Sequence, residues 1–174
     1  MYSLSTILKD SDHKSTLFSD AAIREVESLI FTKTAKSIEV PYIKCQVRGR
    51  DIRLTPEEAV RQLYIYTLVH EYGYSVDQME LERHIHFGRE VKRADIVLFE
   101  KSHPNTEYII IEVKKPKLSE GKEQLKSYCN ATGATMGVWT NGQQISYYHR
   151  KDPNYFEDIP NIPTSTQKLK DLLT

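Results

Sequence analysis

Two runs, Ala94-Asp95-Ile96-Val97-Leu98-Phe99 and Tyr108-Ile109-Ile110-Ile111-Glu112-Val113, constrain this chain more than any other feature. Each is apolar at most positions, bounded by polar residues and of strand length. In the second run Tyr108 and Ile110 share the Glu112 face, while Ile109, Ile111 and Val113 fill the other. Apolar residues on both faces predict a central strand rather than an edge. Yet Asp95 and Glu112 carry charge inside these runs, and Lys114 follows two positions on. Such charge is costly unless it is paired or binds metal. Alternation projects Glu112 and Lys114 from one side, where an aspartate from a neighbouring strand can meet them. Two carboxylates and an ammonium are the groups that hold a divalent cation and position a water for phosphodiester hydrolysis. The blander reading of Glu112 and Lys114 is a solvent-side ion pair, contributing at most ~1 kcal/mol.

At 174 residues the chain fits one domain with a real core and extensions at its ends. Its 24 basic and 24 acidic residues cancel, so no global field drives it onto nucleic acid. That argues against a tight stand-alone DNA binder and permits a catalytic domain delivered by a larger assembly. Cys45 and Cys129 match no metal spacing and read as free thiols of a reducing compartment, which points to the cytoplasm. No long apolar N-terminal stretch marks a signal peptide or membrane anchor.

Three regions follow: an arm and helix over 1–37, a core over 38–150, and a linker with the start of a following segment over 151–174. Residues before Ser19 read as a loosely packed arm. Asp20 caps a helix expected to run to about Lys36, with Ile23, Val26, Leu29 and Ile30 as its stripe. Val40–Cys45 reads as extended and Gln46–Arg53 as a basic connector. Thr55-Pro56-Glu57-Glu58 combines an N-cap, a proline at the first helical position and a capping-box glutamate. Gln78–Phe87 alternates as a strand with Leu81, Ile85 and Phe87 on one face. A helix follows Ser119 and stops near Gly133, and Met136–Trp139 reads as a strand. Asn141-Gly142 makes a tight hairpin turn into Ile145–Tyr148. The prolines between Asp152 and Thr166 read as a linker. The closing Gln167–Leu173 reads as a helix beginning, either the lead into a longer polypeptide or a short docking helix. No G-x-x-x-x-G-K-[ST] phosphate loop is present.

Other candidates each have two readings. Gln124 and Tyr128 share a helix face and could reach a phosphate or base edge, or Tyr128 could join Leu125 and Cys129 in the core. Glu58 is either a further carboxylate aimed at the site or the capping partner of Thr55. His84 and His86 project from one strand face as a metal pair would, although Glu80 and Glu82 favour a solvated face. Arg48, Arg50 and Arg53 are either phosphate contacts or a solvated loop.

In order, Asp95, Glu112-Val113-Lys114 and Gln124-Leu125-Lys126-Ser127-Tyr128 resemble the PD-(D/E)xK nuclease superfamily in its Q-x-x-x-Y branch. The likeness is closest to the N-terminal endonuclease domain of type I restriction enzyme R (HsdR-like) subunits. Leu54-Thr55-Pro56-Glu57-Glu58-Ala59-Val60-Arg61-Gln62, Phe87-Gly88-Arg89, Arg93-Ala94-Asp95-Ile96-Val97 and Trp139-Thr140-Asn141-Gly142 extend it over roughly Val40 to Tyr148. Ala94 stands where the superfamily name implies proline, a departure common in this branch.

The resemblance implies an α/β, restriction-endonuclease-like core: a mixed central sheet of about four to six strands flanked by helices. It implies a DNA endonuclease that uses Mg²⁺, with Mn²⁺ as a substitute, and cuts double-stranded DNA. Asp95, Glu112 and Lys114 are the catalytic residues it implies. Asp95, Glu112 and the Val113 backbone carbonyl are the metal ligands, with Glu58 a further candidate. Gln124 and Tyr128 bind substrate or brace the site. Its implied partners are a helicase-like motor, which alone would use ATP, and methylation and specificity subunits. Two other readings stand beside it: an end-dependent repair exonuclease of the same superfamily, and a non-catalytic DNA-binding or docking module.

Overall fold

The computed structural model describes residues 3–8 and 17–173. In chain order the elements begin with helices α1 (Leu4–Ile7) and α2 (Asp20–Ser28). Strands β1 (Ile30–Ala35), β2 (Ile38–Lys44) and β3 (Asp51–Arg53) precede helix α3 (Pro56–His70). Next come β4 (Met79–Phe87), β5 (Glu90–Phe99), β6 (Glu107–Val113) and helix α4 (Lys122–Thr132). The chain closes with β7 (Met136–Thr140), β8 (Ile145–Asp152), β9 (Tyr155–Ile159) and α5 (Leu169–Leu172). The fold is α/β. β4 to β9 form a six-stranded sheet in sequence order, while β1 to β3 form a separate three-stranded sheet that sequence reading did not anticipate. The large sheet is mixed: β6 and β7 run parallel, and its other neighbours are antiparallel. A parallel pair needs a crossover, and α4 supplies it.

The sheet is covered on both faces, as its apolar central strands demand. On one side Leu63 and Leu68 of α3 share a core with Ile96, Leu98, Ile109 and Ile111. On the other, Leu125, Tyr128 and Cys129 of α4 pack with Val97 and Ile110. The start of α3 follows from its sequence, because the Thr55 hydroxyl accepts from the Glu58 amide and Pro56 opens the helix. The reciprocal half of a capping box does not form; the Glu58 carboxylate turns inward to Gln62 instead. At the other end of α4, Gly133 stops the helix in the left-handed region with φ 81°.

Several expectations are corrected. The helix expected to reach Lys36 ends at Ser28, and Ile30 opens a strand paired with Ile43. Its hairpin turns on Lys36 and Ser37, both at positive φ as a two-residue type I′ loop requires. Neither residue is a usual choice there, so the turn leaves no sequence signal. The N-terminal arm is not loose where it is described: Leu4, Leu8 and Phe18 are buried, and the Leu4 amide donates to Glu27. The Asn141 turn occupies residues 141–144, with the Asn141 side chain accepting from the Gln143 and Gln144 amides. The expected linker after Asp152 holds β9, paired with β8, and buries Ile159 and Ile162.

Near the site the sheet is irregular. Glu82 adopts φ 53° within β4, and the β4–β5 ladder skips its pairing with Asp95 while keeping register on either side. Side chains change faces across this point. Leu81 lies in the α3-side core, whereas Ile85 and Phe87 pack on the α4 side, so these three do not share a face. Tyr108 likewise packs against the α3-side core, apart from Ile110, beside a bulge at Leu98 and Phe99.

Candidate active site

The irregularity opens a gap at the middle of the sheet. Pairing of β5 with β6 ends at Ile96 and Ile111, and the Val113 amide donates to Asp95 Oδ2 at 2.8 Å. The aspartate thus replaces a strand as partner of the backbone, which satisfies that amide and fixes the carboxyl. Glu112 projects alongside, its side chain 3% exposed, and its Oε1 accepts from Lys114 Nζ at 2.7 Å. Asp95 and Glu112 lie close enough for the charge of Asp95 to act on the Glu112 carboxyl. The three charged residues singled out in the sequence therefore converge.

Electrostatics at this point are strained. Burial, with Asp95's charge beside it, raises the Glu112 carboxyl to about 7. Asp95 is raised too, chiefly by burial, although the Val113 amide, Arg61 and Lys114 pull against the shift. Burial works to lower Lys114, yet Glu112, Asp95 and Glu57 together hold it above the ordinary lysine range. Glu112 Oε2 is buried and meets no hydrogen-bond donor among the described residues. A buried carboxylate oxygen without a donor is costly, and a cation is one partner that would satisfy it.

Around this centre sit groups that sequence reading weighed or missed. Gln124 Nε2 hydrogen-bonds the Tyr128 hydroxyl, which also donates to the Arg93 carbonyl at 3.3 Å. Tyr128 is fully buried, so it is a core residue; burial raises its hydroxyl, and the charges of Glu112 and Asp95 add to that. Glu58 is buried but points to Gln62 and Arg61. His84 and His86 are exposed on β4, and among the described residues no three His, Cys, Asp or Glu side chains gather as a metal cage. Arg48 is engaged by Glu82 at 2.8 Å, while Arg50 and Arg53 fall outside the site on the small sheet's loop and third strand.

Four residues were overlooked. Arg61, 5% exposed, reaches Asp95 Oδ1 with Nη2 at 3.2 Å. Glu57 lies near enough to Asp95 and Lys114 to feel both charges. Gly121, at φ 104°, lets Lys114 pass, since a Cβ there would stand 2.6 Å from Lys114 Cε. Trp139 fixes the loop before α4 by donating to the Glu120 carbonyl at 2.8 Å. Only Arg61 had a legible cue, lying one helical turn beyond Glu57 and Glu58; the others depend on contacts across the fold.

Residues 56–163, more than half of the chain, match the family model described as type I restriction enzyme R protein N terminus. The chain belongs to that family. Among solved structures, it is similar to a fragment described as an HsdR subunit of a type I restriction enzyme from Vibrio vulnificus YJ016, at 21% identity and a TM-score of 0.49. That likeness covers 67% of this chain and 24% of the other, so the chain spans about a quarter of that relative's length. A second similar structure is described as a nuclease belonging to DUF820 from Anabaena variabilis ATCC 29413. It shows 18% identity and a TM-score of 0.45, covering 72% of this chain and 86% of that one. No curated protein matches.

Proposed function

We propose that this member of the R-protein N-terminal family is a divalent-cation-dependent nuclease that hydrolyses double-stranded DNA. The observation that carries the reading is the convergence of Asp95, Glu112 and Lys114 around a buried carboxylate oxygen with no donor. The donor set suits Mg²⁺, or Mn²⁺ in its place. Mg²⁺ binds through one or two carboxylates and keeps several waters, so a full protein cage is not needed. Asp95, Glu112 and the Val113 carbonyl are the residues that would hold it; Glu58, turned toward Gln62, is left as an outer support at most. When bound, such a cation polarises a phosphate oxygen and lowers the pKa of its water.

The chain's own groups supply the rest. Lys114 positions the attacking water and stabilises negative charge that develops on the phosphoryl oxygens. Asp95, anchored through the Val113 amide, keeps the carboxyl geometry rigid. The half-buried Gln124 amide orients the DNA backbone, while the buried Tyr128 hydroxyl braces it and the Arg93 carbonyl. Net reaction replaces a backbone P–O bond with a bond to the water oxygen, leaving a phosphate monoester and a hydroxyl.

Membership of the R-protein N-terminal family supports a restriction-complex context, and we propose an ATP-driven helicase-like motor, methylation and specificity subunits, and cytoplasmic residence as that context. ATP acts there through the motor and not through this chain. No helix among the described residues is long and apolar enough to cross a membrane. Plasmid DNA incubated with the native chain, Asp95→Ala and Lys114→Ala tests the reading. Cleavage in Mg²⁺ or Mn²⁺ by the native chain alone is expected; either variant cutting at the native rate refutes the assignment. Closed circles must be cut as well as linear DNA, because an end-dependent exonuclease would leave them intact.

A further inference from the structure

Arg61 is a nearly buried cation whose hydrogen bonds are unevenly made. Its Nη2 holds Asp95 Oδ1 at 3.2 Å. Its Nη1 stands 3.4 Å from Glu58 Oε2 and 3.7 Å from Glu82 Oε1, within reach of charge, but neither Nη1 nor Nε has a hydrogen-bond acceptor among the described residues. The two outer carboxylates are themselves tethered, Glu58 by Gln62 at 2.9 Å and Glu82 by Arg48 at 2.8 Å. Glu82 sits at the β4 position where the ladder toward Asp95 is broken and its φ is positive. Backbone strain of this kind persists only where the surroundings over-determine it. The guanidinium therefore has one well-made bond, to a carboxylate assigned to the cation, and unspent donors facing two carboxylates outside the site.

We infer that Arg61 is a positioning residue that holds Asp95 in the cation-free chain and yields it to an entering divalent cation by turning toward Glu58 and Glu82. The inference rests on the cation reading proposed above. A guanidinium and a divalent cation on one carboxylate repel each other, whereas Glu58 and Glu82 together offer the arginine an alternative anionic seat. Without a cation, the same arginine offsets the buried charge of the acid pair. It thus stabilises the empty site and weakens cation binding at once. A purely structural arginine would act in one direction only, its loss loosening the site and weakening both.

Mn²⁺ calorimetry and metal-free thermal unfolding on the native chain, Arg61→Gln, Arg61→Lys and Glu82→Gln test this. Arg61→Gln is expected to melt lower without metal yet bind Mn²⁺ at least about tenfold more tightly. Arg61→Lys restores the charge, so its metal-free stability and its affinity both return toward native values. Glu82→Gln removes part of the alternative seat and weakens Mn²⁺ binding several-fold, a measurement that stands even where Arg61→Gln does not fold. Arg61→Gln binding Mn²⁺ as the native chain does, or more weakly, overturns the inference, and so does an unchanged affinity in Glu82→Gln. A native chain that binds no Mn²⁺ defeats the cation reading itself, and the inference falls with it.

Discussion

Glu112 is a residue held at a cost. Its carboxyl is raised to about 7 by burial and by Asp95, against an ordinary value of 4.5. The folded state therefore holds this proton more tightly than the unfolded chain. Stability associated with it is fully present below about pH 4.5 and is lost as pH rises through about 7. Metal-free chain is expected to lose stability across that window from this group, and Asp95, shifted the same way, steepens the slope. Glu112→Gln, which stays neutral, flattens it; thermal melts across pH 4 to 8 in chelator, on the order of one per half unit, read the difference. A native profile that does not fall over this window contradicts the account.

Gly121 sets a second constraint at the same scale. Its φ of 104° strains any residue with a side chain, and a Cβ there would meet Lys114 Cε at 2.6 Å. Gly121→Ala is expected to cost about 1 kcal/mol or more through backbone strain alone. It also displaces the lysine, so DNA cleavage falls further than stability does. Equal activity in the alanine variant would show that Lys114 takes another path.

At the scale of elements, α3 matters more than its place outside the sheet suggests. It is buried from Glu58 to Ile65 and presents Arg61 to β5. Its N-terminus depends on Thr55, and Thr55→Ala is expected to lower unfolding free energy by about 1 kcal/mol in denaturant titrations. The closing hairpin is equally structural. Ile159 and Ile162 are buried, each worth about 1.5–3 kcal/mol when fully covered. A chain cut after Asp152 is expected to lose cooperative unfolding by calorimetry, whereas a true linker would leave the melting transition in place.

Over the whole molecule, what the sequence made legible was what local chemistry controls. β5 and β6 were readable because few other structures accept Ile, Val and Leu on both faces, and the lysine two positions after Glu112 follows from alternation. Convergence of Asp95 on Glu112 needed only that their strands be neighbours. The small sheet was hidden because Ile23, Val26, Leu29 and Ile30 fit a helical period, while pairing with β2 wins from Ile30 onward. β9 was hidden by flanking prolines and by having only an edge to pair with. Arg61 had a cue in its place one helical turn beyond Glu57 and Glu58, but its burial against Asp95 appears only once α3 lies on the sheet. The face switch at Glu82 leaves no pattern, since glutamate gives no hint of positive φ.

The balanced charge of the chain, 24 basic against 24 acidic residues, supplies no bulk attraction to nucleic acid, so the proposed chemistry rests on this one site. The measurement that bears on it most directly compares cleavage of plasmid DNA by the native chain and by Glu112→Ala, with Mg²⁺ and with chelator. The native chain is predicted to cut only when the cation is supplied, and Glu112→Ala to fall by about 10²-fold or more while remaining folded. Cleavage by Glu112→Ala at the native rate, or native cleavage that persists in chelator, would contradict a cation-dependent site built on Asp95, Glu112 and Lys114.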